Sequence, residues 1–150
     1  MKIALASDHA GFPLKRHLVS FLRAKGHNVV DLGVDTDKVP SDYPDIAELI
    51  ARAVLNGRAE RGLLLCGSGV GACIAASKFH GIYAAVCHDT YSAHQGVEHD
   101  RMNIMCIGAR IIGPALAEEL ADAFLRAQPS DEERHVRRFG KVQALENQHL

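Results

Sequence analysis

Short apolar runs alternate with helical stripes along most of the chain. Lys2–Ser7 (KIALAS) reads as a short buried strand. Pro13 suits the first turn of a helix whose apolar residues Leu14, Leu18, Phe21 and Leu22 follow 3.6-residue spacing and end near Gly26. Val29–Leu32 is a second strand, closed by Gly33, and a polar loop with Pro40 and Pro44 leads into a helix carrying Ile46, Leu49, Ile50, Val54 and Leu55, stopped at Gly57. Gly62–Cys66 is a third strand, and Gly67-Ser68-Gly69-Val70-Gly71 opens the next helix. The pattern continues with a strand over Ile82–Cys87, a helix over Thr90–Glu98, a strand over Asn103–Ile107 and a helix over about 114–127.

Five β-α units with solidly apolar strands predict a parallel sheet covered on both faces. Right-handed crossovers make it a doubly wound α/β sandwich. Ligands in such sheets bind beyond the C-terminal strand ends, and Asp8, His9, Cys66, the glycine loop and His88 all fall there. A further helix, about 130–146, starts after Pro129: Ser130 reads as its N-cap and Glu133 completes a capping box. Its stripe of Val136, Phe139, Val142 and Leu145 is expected to pack partly against a second subunit, with packing on its own domain as the alternative.

The 150 residues suit a single domain over 1–150, with 47% apolar and 23% charged residues. That composition excludes a disordered chain, a collagen-like repeat and a disulfide-stapled miniprotein. A net charge of −1 gives no reason to expect nucleic-acid or membrane-surface binding. No run of 18 apolar residues occurs, and Ser7-Asp8-His9 interrupts the N-terminus before a signal-peptide h-region can form, so a cytoplasmic location is expected. The four cysteines, at 66, 73, 87 and 106, form no C-x-x-C pair and read as free thiols. Cys73, Cys87 and Cys106 lie in apolar stretches as small core residues.

The Gly67–Gly71 turn offers backbone N–H groups and the positive end of a helix to an anion. No Gly-Lys-Ser/Thr follows, so it is not a P-loop. Gly67, Gly69 and Ala72 do fit G-x-G-x-x-A, with Asp89 at the end of the next strand, which keeps a dinucleotide-binding protein as a competitor. Against it, the chain has no room for a substrate domain, and its first β-α unit lacks the fingerprint. Cys66, just before the turn, is placed for a thiolate to act as nucleophile or base, the alternative being a buried strand-end residue. His88, Asp89, His94 and His99 cluster in sequence without a tight metal-ligand pattern; His17, His27, His80 and His149 read as surface residues. Arg134 and Arg138, one helical turn apart beside His135 and Arg137, read either as a solvated face or as a phosphate grip.

Together these residues resemble the family of type B ribose-5-phosphate isomerases and galactose-6-phosphate isomerase subunits. The resemblance rests on Ser7–Phe12, Asp42-Tyr43-Pro44, Cys66–Gly71, Ile74–Lys78, Tyr91-Ser92-Ala93, His99 to Asn103, Gly108-Ala109-Arg110 and Arg134 to Arg138. It implies a Rossmann-like three-layer α/β/α sandwich with a five-stranded parallel sheet and an extra C-terminal helix. It also implies a homodimer or dimer of dimers with shared sites, and an isomerase of sugar phosphates needing neither metal nor cofactor. By that resemblance Cys66 moves the proton between C1 and C2, assisted by Ser68, while His99 of the neighbouring subunit and Asp42 open the sugar ring. Asp8 and Tyr43 line the sugar; His9, Arg110, Arg134 and Arg138 hold the phosphate; the amides of Gly67, Gly69 and Gly71 meet the enediolate charge. Asp100 stands where many type B ribose-5-phosphate isomerases carry Asn and, when ionised, cannot donate a hydrogen bond to the sugar. Ribose 5-phosphate is therefore the expected substrate, with four- and six-carbon sugar phosphates and a sugar-phosphate-binding module as alternatives.

Overall fold

A computed structural model describes residues 1–148. In chain order the elements are β1 (Lys2–Ser7), α1 (Phe12–Ala24), β2 (Asn28–Gly33), α2 (Tyr43–Leu55), β3 (Arg61–Cys66), α3 (Val70–Ala76) and β4 (Ala84–Val86). They continue with α4 (Thr90–Asp100), β5 (Ile104–Gly108), α5 (Pro114–Arg126) and α6 (Glu133–Asn147). The strands form one parallel sheet in the order β2-β1-β3-β5-β4. The three-layer α/β sandwich predicted from the apolar strands is what the chain forms.

Strand parity explains both layers. Ile3, Leu5, Leu63, Leu65, Met105 and Ile107 point to one face, under α1, α4 and α5. Their neighbours Ala4, Ala6, Leu64, Cys66, Ile104 and Cys106 point to the other, under α2 and α3. Both sets are buried, so a period-two alternation of polarity has nowhere to arise. The chain leaves β1 toward one edge and reaches β3 on its other side, so the crevice between the ends of β1 and β3 is the switch point of the sheet.

Three local expectations change. β4 is an edge strand of three residues instead of six, because Asn103 occupies the segment before it: the Tyr83 N–H donates to Asn103 Oδ1 at 2.8 Å, and Asn103 Nδ2 donates to the Gly81 carbonyl at 2.8 Å. α6 begins at Glu133, with Glu132 as N-cap, so no capping box forms on Ser130. Ser130 instead donates its N–H to the Glu98 carbonyl at 2.8 Å, tying the start of α6 to the end of α4. In α2 the predicted Ile46 and Ile50 share the core face with Ala47, Ala51 and Ala53, whereas Leu49 and Leu55 are exposed. On α6, Phe139 is buried edge-on against Tyr83 (ring centroids 4.8 Å apart), while Val136, Val142 and Leu145 are left uncovered. The surface assignments hold for His17 and His80, both in polar contacts, and His149 lies outside the described residues.

Candidate active site

At the switch point, Asp8, Tyr43, Cys66, Gly67, Ser68, Gly71, Arg110 and Ile111 line an open cleft of about 320 Å³. Asp8 follows the last residue of β1 and is 6% exposed; its Oδ1 accepts the Gly11 N–H at 3.0 Å. Cys66 is the last residue of β3 and is 5% exposed, and its Sγ accepts the Gly69 N–H at 3.1 Å, which fixes the direction of the sulfur. Gly69 makes that contact from the left-handed region (φ +81°), and a Cβ there would stand 3.1 Å from the backbone of Ile107 and Gly108. Gly71 gives room to the Tyr43 ring: a Cβ there would stand 2.7 Å from Tyr43 Cζ. The carbonyls of Cys66 and Gly67 accept the N–H groups of Ala109 and Arg110 at 2.8 and 3.0 Å, and the Arg110 guanidinium lies over Gly67.

α3 has only seven residues, so the turn presents amides more than a macrodipole. Two of its amides are already engaged, Gly69 on Cys66 Sγ and Val70 on Ser68 Oγ at 3.3 Å. Gly69 is thus a holder of Cys66, whereas among the described residues the amides of Gly67, Ser68 and Gly71 stay open to a ligand. His9 stands beside Asp8 with Nδ1 accepting the Ser41 N–H at 3.1 Å, which leaves the ring's proton on Nε2. Asp42 is the extended N-cap residue of α2 with an exposed side chain, adjoining Tyr43 without lining the cleft.

The other predicted site residues gather elsewhere. α4 starts just past the C-terminal end of β4 and runs back, so His99 and Asp100 lie near the N-terminal ends of the strands. Eleven helical residues cover roughly 16 Å, about the length of the strands themselves. His99 stacks on His135 of α6 (centroids 3.8 Å, interplanar 28°), and Arg134 and Arg138 stand on the same helix. Within one chain, then, His99, Asp100, Arg134 and Arg138 form a second cluster at the opposite end of the sheet from Cys66. Arg134 Nε donates to Glu132 Oε2 at 2.8 Å.

Several residues gain roles that their types did not announce. Ile111 lines the cleft, and Ser41 holds His9. His88 Nε2 accepts the Gly108 N–H at 2.9 Å, bracing the strand end opposite Cys66. Asp89, the acidic residue of the dinucleotide pattern, is the N-cap of α4, accepting the Ser92 N–H at 2.7 Å; that hydrogen bond holds its carboxyl below the usual range. Among the described residues no group of three or more His, Cys, Asp and Glu side chains is placed to hold a metal ion, and no helix is long and apolar enough to cross a membrane. Cys87 and Cys106 are core residues, while Cys73 is half-buried. A hydrogen bond from Cys106 brings the Cys73 thiol down to about 6; burial pushes Cys87 up to about 11.

The switch point of this doubly wound α/β sheet thus brings a thiol, a glycine turn and a guanidinium to one cleft. Residues 3–142 match the Ribose/Galactose Isomerase family, and the chain belongs to that family of sugar isomerases. It is 41% identical over 145 residues to ribose-5-phosphate isomerase B of Escherichia coli, covering 97% of this chain and 96% of that one. It is 42% identical over 128 residues to a D-erythrulose-4-phosphate isomerase of Pectobacterium atrosepticum, covering 85% and 84%. The solved ribose-5-phosphate isomerase B of Clostridium thermocellum superposes over the full length of both chains with a TM-score of 0.95 at 40% identity.

Proposed function

We propose that this protein interconverts D-ribose 5-phosphate and D-ribulose 5-phosphate in the cytoplasm, as a homodimer or dimer of dimers whose sites are shared between chains. The observation that carries the reading is Cys66, oriented by the Gly69 amide at the mouth of a cleft that Arg110 also lines. In the forward direction the furanose opens first. The C1–O4 bond breaks with its electron pair going to O4 under a hydrogen bond from the His99 Nε2–H, while the O1 proton passes by way of Asp42 to O4 and C1 becomes a carbonyl. Cys66 Sγ then removes the C2 proton, and the charge that develops on O1 meets the amides of Gly67, Ser68 and Gly71. Returning that proton to C1, with Ser68 Oγ moving the proton between O1 and O2, gives the ketose. Asp8 and Tyr43 hold sugar hydroxyls. His9 Nε2–H, Arg110, Arg134 and Arg138 grip the phosphate, so binding energy far from the reacting carbons fixes the open chain in place.

The Cys66 cleft and the cluster of His99, Arg134 and Arg138 cannot meet within a chain, whereas a second copy set against the first can bring them together. The uncovered Val136, Val142 and Leu145 on α6 and the open edge of β4 favour such pairing. A four-carbon sugar phosphate is the second reading, favoured by the Pectobacterium relative. Assay of ribose 5-phosphate, erythrose 4-phosphate and a six-carbon aldose phosphate for ketose formation tests both. Ribose 5-phosphate is expected to turn over fastest, with EDTA and added nicotinamide dinucleotides changing nothing. A preference for the four-carbon sugar would overturn the first reading, and binding of all three without turnover would make the protein a sensor module.

A further inference from the structure

Gln95 and His99 are one turn apart on α4, and the Gln95 Nε2 amide reaches two groups at once. It lies 2.9 Å from His99 Nδ1 and 3.3 Å from Asp100 Oδ2. A side-chain NH2 has two hydrogens to give and accepts nothing, and an ionised carboxylate accepts only. Asp100 therefore selects the NH2 end of Gln95, and His99 Nδ1 must be the acceptor of the second hydrogen. The ring's own proton then sits on Nε2, on the edge away from Gln95. Face-on, the ring is covered by His135, itself 4% exposed and with an Nδ1 that has no hydrogen-bond partner among the described residues. Glu98 also faces the ring: its Oε2 is 3.8 Å from His99 Nε2 and is shared with His94 at 3.2 Å.

We propose that Gln95, anchored by Asp100, and His135 are positioning residues that keep His99 in the Nε2–H tautomer with its ring plane fixed. His99 thus arrives at the sugar as a hydrogen-bond donor through Nε2–H. The assignment rests on the ring-opening role given to His99 above. It also gives Asp100 a task other than touching sugar: its charge orients the amide that sets the histidine. An asparagine there could present its own NH2 to Gln95, and would not fix that amide's direction.

The test is a nitrogen-15 spectrum of the full chain with labelled histidine, beside steady-state kinetics on ribose 5-phosphate. Wild-type His99 is expected as the Nε2–H tautomer. Gln95→Glu places an acceptor against Nδ1, so the proton should move there, and kcat should fall by ~10-fold or more with KM little changed. Gln95→Leu, which cannot clash with Asp100, should give a mixture of tautomers and an intermediate kcat. His135→Phe, which keeps a flat face, should recover most of the kcat that His135→Ala loses. A wild-type Nδ1–H tautomer, a tautomer unmoved by Gln95→Glu, or equal damage from His135→Phe and His135→Ala would each overturn the inference. A wild type that isomerises no sugar phosphate while showing the expected tautomers would sink the proposed function and leave the positioning of His99 supported.

Discussion

Cys66 occupies the last position of β3, buried among alanines on the α2 side of the sheet and held by one amide. Replacing it with alanine removes little volume, so the fold should persist. The proton transfer between C1 and C2 should drop by roughly 10²–10⁴, with KM little changed, read from exchange of substrate hydrogen in heavy water. Exchange persisting at the wild-type rate would move the base elsewhere. Cys73 complicates the obvious alkylation test, since its thiol titrates at about 6 through the hydrogen bond from Cys106, against 9.0 for an ordinary one. Iodoacetamide at neutral pH should label Cys73 well ahead of Cys87, whose thiol burial raises, and of Cys106, raised by its hydrogen bond to Cys73 and by burial. Protection of Cys66 by substrate therefore has to be measured in Cys73→Ala. The same shift has a stability consequence: a thiol titrating lower when folded stabilises the fold fully above its unfolded value and loses that contribution as pH falls through about 6. Thermal stability should rise between pH 6 and 9 by more in the wild type than in Cys73→Ala.

At the scale of elements, every strand and helix was legible because the core is apolar on both faces of the sheet and each helix shows its stripe. What the pattern could not give came from polar side chains standing in for backbone. Asn103 shortens β4, and Ser130 ties α6 to α4 in place of capping it. Arg61 is a third case: it opens β3, 8% exposed, and donates Nη1 to the Phe124 carbonyl and Nη2 to the Ala127 carbonyl at 2.8 Å, closing the end of α5. Charge in a strand end gives no hint of such a partner, which lies over sixty residues away. Arg61→Ala should cost about 3 kcal/mol in denaturant unfolding, because two charge-assisted bonds go and two carbonyls lose their donor. A loss within about 0.5 kcal/mol would mean that water replaces the guanidinium at that helix end. The glycine turn was legible as an anion loop, yet its internal division was not, since only the folded turn sets the Gly69 amide on the sulfur and the Val70 amide on Ser68 Oγ.

Across the whole molecule, Cys66 and His99 lie at opposite ends of a parallel sheet, separated by about the length of α4. A chain acting alone could not bring both to one sugar phosphate. Two chains can, provided each lends its α4–α6 end to the other's cleft. Mixing tests this directly. Cys66→Ala and His99→Asn chains should each be inactive on ribose 5-phosphate. In a mixed dimer one of the two sites carries both intact residues and the other neither. After equal mixing, with exchange of chains confirmed by native mass spectrometry, activity should return to about a quarter of the wild-type value. Mixed dimers that are plainly formed and remain inactive would contradict a site shared between chains.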